Sequence, residues 1–363
     1  MKKLPLHEWH VAHGGKMGEF AGHEMPLYYS KPLEEHQQVR SRGGLFDITH
    51  MGQFQLTGEK AGDMLAHALP NDVLGMTDGQ ALYSPLCKPD GGVLDDLIIY
   101  RQGKDRFFII VNGDTLEKDL AWLTGLAGMF NCQLDNLTPQ RCLFAVQGPQ
   151  VFSLLAPHLG VNPASLGYFR FAETTLFGQL VFLARTGYTG EPGVEISLNR
   201  DGAQQVWESM ATTLTLPPIG LVARDTLRLE AALPLYGHEL DESHTPWESG
   251  IGWTVKLGKT PPFIGQESLT EQLAKGALEQ LAGLEIMGRG IPRAGYPVLA
   301  SGKPVGVVTS GGHAPTLDKP IALARISAEW AAVGQEVQVE IRGKPVEARV
   351  VRLPFYKNPA IRK

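Results

Sequence analysis

Leu97-Ile98-Ile99-Tyr100-Arg101-Gln102-Gly103-Lys104-Asp105-Arg106-Phe107-Phe108-Ile109-Ile110-Val111 consists of two apolar runs around one polar turn. Residues 97–100 and 107–111 read as two strands joined by Gln102-Gly103-Lys104-Asp105. Just downstream, Leu116, Leu120 and Leu123 recur at i, i+4 and i+7. That spacing lines one face of a helix over 115–123, with Asp114 or Thr115 placed to cap it. Helical patterns also cover 33–40 and 61–69. Hairpins and helices mixed in this way predict an α+β region and not a doubly wound sheet.

The character of the chain changes near residue 278. Val337, Val339 and Ile341 alternate with polar residues, and after Gly343-Lys344 the alternation resumes at Val346, Ala348 and Val350. That is a hairpin with one buried face. Residues 296–299 and 305–309 flank another turn, Ser301-Gly302-Lys303. A helical stretch over 267–275, followed by Gly276, marks the boundary. The expected organisation is an α+β region over 1–277 and a small all-β domain over 278–363.

Composition narrows the function classes. The chain has 363 residues, room for two or three domains. With 33 Lys plus Arg against 38 Asp plus Glu, the net charge is -5. A mildly acidic protein is a poor match for nucleic acid or an anionic membrane surface. Three widely spaced cysteines, Cys87, Cys132 and Cys142, form no disulfide framework or Cys-rich zinc motif. Two lysines begin the chain like a signal peptide, but no apolar run follows. A soluble, cytoplasmic protein is expected.

Familiar catalytic motifs fail one by one. Gly258-Lys259-Thr260 resembles the end of a phosphate-binding loop, but residue 253 is Trp where the first glycine belongs. Ser310 lacks the glycine at 308 that a nucleophile elbow needs. His238-Glu239 has no His at 242. His7, His10 and His13 recur every third residue with no carboxylate or Cys cluster beside them. They read as ordinarily hydrogen-bonded or solvated, and no metal is expected.

Three other stretches carry polar residues in unusual settings. In Gly91 to Tyr100, Asp95 and Asp96 enter an apolar strand. Neighbours in a strand point to opposite faces, so both cannot face solvent if one face is packed. One aspartate enters a cleft or core, or the pair caps a turn. In Arg185 to Ile196, a Gly/Pro-rich loop leads to Glu195, which faces away from Val194 and Ile196. A carboxylate there suits a flat ligand offering two adjacent N–H donors, or is a solvated edge residue. In Gly220 to Ala231, Arg224 and Arg228 share a helix face, for an anionic ligand or a structural ion-pair net.

Taken together these stretches resemble the T protein of the glycine cleavage system, the aminomethyltransferase family. The resemblance runs through Gly15-Lys16-Met17, Gly44 to Gly52, Gly91 to Tyr100, Gln147-Gly148-Pro149, Arg185 to Ile196, Ala223 to Glu230, Leu235 to Glu239, Val308 to Gly311 and Pro354-Phe355-Tyr356. It spans essentially the whole chain. One departure is His23, where the family usually carries Trp.

The resemblance implies three domains in a clover-leaf arrangement around a central folate channel, the last a β-barrel or jelly roll. It implies transfer of the one-carbon unit of an aminomethyl group, carried on the dihydrolipoyl arm of a lipoylated H protein, to tetrahydrofolate, with release of ammonia. The family's essential aspartate falls on Asp96. Its folate-contacting positions fall on Glu195 and Arg224, and residues lining the folate site fall on Met51, Tyr83, Asn112, Tyr188 and Tyr236. Two relatives of the same fold are alternatives: a tetrahydrofolate-dependent demethylase, and a non-enzymatic folate-binding paralogue of iron–sulfur assembly. The second carries a Lys-Gly-Cys-Tyr-x-Gly-Gln-Glu loop. Here the matching stretch ends in Gly265-Gln266-Glu267 but has Pro262 in the cysteine's place.

Overall fold

The computed structural model describes residues 1–362. Two five-stranded antiparallel sheets make up most of the N-terminal region. The first runs Gln80–Cys87, Val93–Gly103, Arg106–Val111, Gly52–Thr57, Gln133–Asn136. The second runs Phe171–Leu176, Gln179–Ala184, Gly193–Asn199, Arg141–Gln147, Gly44–Asp47. A small sheet of Lys2–Lys3, His23–Tyr28 and Lys16–Phe20 lies at the N-terminus.

The expected hairpin is present but longer than its apolar runs. Its first strand begins at Val93, so Asp95 and Asp96 lie inside the strand and not in a turn. The expected helix over 115–123 extends to Leu116–Phe130 and ends at Asn131 in the left-handed conformation. Thr115 stands at its N-cap, but the Thr115 hydroxyl donates to Asn112 O rather than to a helix amide.

Strand alternation decides how the layers stack. Leu97 and Ile99 face one way, into a core with Phe54, Leu56, Phe107, Ile109 and Leu123 of the helix Leu116–Phe130. Tyr100, Phe108 and Ile110 face the other way, onto Leu143, Ala145, Phe182 and Ala184 of the second sheet. The second sheet repeats the plan: Val194, Ile196 and Leu198 pack on Trp207 of the helix Arg200–Thr213. Two sheets therefore face each other, with helices on the outside. Both faces of each sheet are buried, so the strands read as continuous apolar runs.

The C-terminal region is all β, as expected, and closes completely. Its six strands form a barrel in the order Glu279–Ile286, Lys319–Ser327, Lys303–Ala314, Pro297–Ala300, Glu336–Ile341, Lys344–Val351. Val337, Val339, Ile341, Ala348 and Val350 fill its interior. The α+β class and the C-terminal barrel agree with the sequence reading.

The barrel is tied to the rest through the helix Leu221–Glu230. Leu229 packs against Ala314, Ile321 and Leu323. Buried Glu230 accepts hydrogen bonds from the Thr316 N–H at 2.7 Å and from Arg40 Nη2 at 2.8 Å. Arg40 also donates to Glu191 Oε1 at 3.0 Å, and Tyr356 donates to the same oxygen at 2.7 Å. Burial alone would raise the Glu230 pKa, but His36, Thr316 and Arg40 outweigh it and hold the carboxyl at about 2.

A carboxyl held below its unfolded value stabilises the fold above that value and stops doing so as pH falls towards the folded one. The stability difference between the native chain and Glu230→Gln is therefore expected to be largest near pH 6, with an upper bound of roughly 3 kcal/mol. It should shrink as pH falls from about 4.5 towards about 2. Urea midpoints measured across that range check this.

Candidate active site

The site lies where the inner faces of the two sheets meet. Asp96, Ile98 and Tyr100 point inward from the first sheet by alternation, and Glu195 and Ser197 point inward from the second. Their convergence is visible in a cross-sheet hydrogen bond, from the Ser197 hydroxyl to Gln53 Oε1. Asp96 and Glu195 thus open on the same inter-sheet space, from opposite walls. Asp96, Tyr83, Asn112, Tyr188, Arg224, Tyr236 and Met51 are all half-buried, while Glu195 is buried.

Asp96 is held at both oxygens. The Tyr83 hydroxyl donates to Oδ2 at 2.9 Å, and Asn112 Nδ2 donates to Oδ1 at 2.8 Å. Burial pushes the Asp96 pKa up to about 7, against the pull of those two donors. A carboxyl so poised can accept or release a proton near neutrality. Asp95 is turned to the helix side, as alternation demands, yet is also fully buried.

Glu195 is no edge residue. Its strand, Gly193–Asn199, runs between Gln179–Ala184 and Arg141–Gln147. The Thr186 hydroxyl donates to Glu195 Oε2 at 2.6 Å. Burial raises the Glu195 pKa, opposed by Thr186 and by the charge of Arg224. The loop that delivers Thr186 is shaped around Gln147, whose amide donates to Thr186 O and Val194 O and accepts from the Thr189 hydroxyl. Gly187 is required there, since a Cβ would lie 2.0 Å from Gln147 Oε1.

The two arginines share a helix face by spacing but part in role. Arg228 is a structural residue, bonded to Asp225, Glu239 and Ser310. Arg224 instead lies with its guanidinium 4.7 Å from the centre of the Tyr188 ring. Its Nη1 is buried and has no acceptor. Burial lowers its pKa, while Tyr188 and Glu195 act to raise it.

Tyr188 donates to Pro234 O at 2.6 Å. Tyr236 packs with Tyr83 on Val93, Leu240 and Ile251, and Lys118 Nζ lies 2.8 Å from its hydroxyl. Met51 stands outside this polar network. It lies one residue beyond the Gly52–Val111 pair, across the register from Asn112, and packs on the inter-sheet core. Residues the sequence reading did not single out also border the site. Thr186 anchors Glu195 from within the quoted loop. Trp253 is 65% exposed and stacks on Tyr83, ring centres 6.1 Å apart, and no pattern in the chain marked it.

The N-terminal histidines have ordinary partners: His7 with Glu24 and His10 with Asp47, each at 2.9 Å. His13 stacks on Trp9. Among the described residues no group of three or more His, Cys, Asp or Glu side chains is arranged to hold a metal. No described helix is long and apolar enough to cross a membrane.

Comparison with known proteins gives one consistent result. Residues 6–259 match the GCVT N-terminal domain, and residues 279–357 match the glycine cleavage T-protein C-terminal barrel domain. The aminomethyltransferase of Moorella thermoacetica is 46% identical over 362 residues, covering 99% of both chains. That of Bacillus subtilis is 43% identical and covers 99% of this chain and all of its own. The crystal structure of glycine cleavage system aminomethyltransferase T from Bartonella henselae superposes with a TM-score of 0.93 at 38% identity, covering 98% of each chain.

The Tyr83 hydrogen bond lowers the Asp96 pKa, so removing it should raise that pKa. In Tyr83→Phe the Asp96 carboxyl is expected to titrate roughly one unit higher, the equivalent of about 1.4 kcal/mol. Carbon-13 shifts of labelled aspartate side chains, followed against pH, measure it.

Proposed function

The chain belongs to the glycine cleavage T-protein family of aminomethyltransferases, and on that premise we propose that its co-substrates are tetrahydrofolate and the aminomethylated lipoyl arm of an H protein. One observation supports this reading: Asp96 and Glu195 face the same inter-sheet space from opposite sheets, with Arg224 of the helix Leu221–Glu230 near Glu195. The first is a proton acceptor poised near neutrality. The second is a carboxylate beside a buried cation with an unused N–H.

That chemistry fits a pterin. The ring offers an N–H beside an exocyclic amine, which a carboxylate accepts with its oxygens, and a carbonyl next to them, which the free Arg224 Nη1 can serve. Tyr188 and Tyr83 supply aromatic faces for a flat heterocycle. Met51 supplies apolar contact, and Tyr236 and Asn112 border the same crevice.

Asp96 then acts on the reacting amine. It orients the folate nitrogen that forms a new bond to the carbon while the C–S bond to the lipoyl arm breaks, and it accepts the proton that nitrogen loses, which passes on to the departing thiolate or ammonia. Its negative charge favours the iminium-like carbon from which ammonia departs. Asn112 and Tyr83 keep the carboxylate in place throughout. The partner's lipoyl arm is long, so its tip can reach Asp96 while the carrier body stays outside. The docking is expected to be transient. The chain's free cysteines, with Cys87 and Cys142 buried, suit a reducing cytoplasm.

Reconstitution tests the reading: purified protein, tetrahydrofolate and aminomethylated H protein, followed by ammonia release. The loaded carrier is expected to outpace a free aminomethyl-lipoamide by orders of magnitude, because the carrier holds the reacting carbon in place. Good turnover of a sulfonium or N-methyl donor without a carrier would support a demethylase instead.

Two substitutions separate the roles. Asp96→Asn should keep folate binding and lose about 10² to 10⁴ of the rate. Glu195→Ala should weaken tetrahydrofolate binding by roughly 1.5 to 3 kcal/mol, read by calorimetry on the free protein.

A further inference from the structure

Behind Asp96, on the helix side of its strand, two acids are buried face to face. Asp95 and Asp119 are both 0% exposed. Asp95 accepts the Asn112 N–H at 3.1 Å and Asn112 Nδ2 at 2.8 Å. Asp119 stands within hydrogen-bonding reach of Asp95 and of the Thr115 hydroxyl, and no other described group donates to its oxygens. The neighbouring Thr115 hydroxyl gives its proton to Asn112 O. Lys118, next in the chain, reaches away to Tyr236 and Glu242. Among the described residues no cation forms an ion pair with either acid.

Two ionised carboxylates cannot share such a space, and a single proton between them removes the conflict. We propose that Asp119 is a positioning residue for Asp96: it shares one proton with Asp95 and keeps the pair's negative charge on the helix side, leaving Asp96 as the anion nearest the substrate. Three facts favour charge on Asp119 over Asp95. Asp119 lies in the first turn of the helix Leu116–Phe130, whose positive end favours an anion. The Thr115 hydroxyl lies within reach of Asp119 and can turn to serve its charged form. Burial and the Asp119 charge push Asp95 well above the usual carboxyl range, while burial brings Asp119 only to about 6.

Asn112 links this pair to the reaction. Its amide donates to Asp95 Oδ1 and Asp96 Oδ1, each at 2.8 Å. The ionisable groups around the three acids are Tyr83 and Tyr188 beside Asp96, Tyr236 beside Asp95, and Lys118 beside Asp119. Asp119→Asn removes the distant charge. Asp95 then ionises, and the same single negative charge moves next to Asp96, whose pKa rises. Asp95→Asn leaves the charge on Asp119, so Asp96 stays where it was or titrates lower.

The inference rests on Asp96 being the reacting carboxylate, and two measurements keep the two claims apart. The first is the pH profile of kcat in the reconstituted assay. Asp119→Asn should move the acid limb about one unit upward, with a plateau rate and folate KM close to the native values. Asp95→Asn should leave the limb in place or lower it. The second needs no turnover: the infrared band of a buried protonated carboxyl, recorded at a pH above the Asp96 limb. The native protein should show it, and both variants should lose it. An unmoved acid limb in Asp119→Asn, or an infrared band absent from the folded native protein, would overturn the shared proton. An inactive native protein that keeps the band would instead overturn the transferase reading.

Discussion

The packing of Phe182 between the two sheets sets the geometry of everything around it. Its ring lies 5.1 Å from Tyr100, 4.9 Å from Phe108 and 4.6 Å from Phe171, centre to centre. The contacts with Tyr100 and Phe108 hold the inner faces together, and Phe171 braces the ring from its own sheet. Asp96 and Glu195 stand on different sheets, so the space between them is formed by neither sheet alone. A sheet interior is close-packed and transmits displacement. A smaller side chain at 182 would let the faces settle and change the span between Asp96 and Glu195 without touching either.

The same layered plan explains why so many charges are buried. The inner faces cannot be wholly apolar where a polar ligand must enter, so the chain places donors there to hold each acid. Tyr83 and Asn112 serve Asp96, and Thr186 serves Glu195. The structural acids are treated differently. Glu230 and Glu191 are saturated by Arg40, Thr316, Tyr356 and Asn358. Saturation of this kind suits acids that tie the barrel to the rest of the chain. Arg228 and Arg224 show the same division one helical turn apart.

Much of this was legible in the chain. The alternation around Asp95-Asp96 placed them on opposite faces, and the Val337 to Val350 pattern gave the barrel hairpin. The resemblance assigned Asp96, Glu195 and Arg224 to one site; in the fold Asp96 and Glu195 face the same inter-sheet space and Arg224 lies near Glu195. The bounds of elements were less legible, because the Asp pair looks like a turn when only hydrophobicity is counted. That Asp95 is the fully buried member of the pair, beside a second acid, was not legible. Its partner, Asp119, lies on a helix whose apolar pattern is Leu116, Leu120 and Leu123, and a single acid on that pattern reads as solvated. Only the packing of the helix Leu116–Phe130 on the back of the sheet brings it to Asp95. Trp253 was hidden for a similar reason, since its neighbour Tyr83 is 170 positions away.

The crevice is electrostatically unfinished in a way that describes its ligand. Asp96 has a donor at each oxygen, Glu195 has Thr186 at one, and Arg224 keeps a buried N–H with no acceptor. A buried, unpaired donor costs about 1 to 3 kcal/mol. The fold carries that cost because packing elsewhere over-determines the helix Leu221–Glu230, through Leu229 on the barrel and Arg228 on Glu239. A ligand that offers Arg224 an acceptor and Glu195 a donor removes the cost on binding, so part of its affinity comes from relieving the free protein. Selectivity follows from the same asymmetry. A flat molecule lacking either group would leave the donor or the carboxylate buried and unmatched, a larger penalty than the loss of a surface contact. Asp96 already has a donor at each oxygen, so under the proposed reading it would gain little from ground-state binding and would act on the charge that develops during transfer.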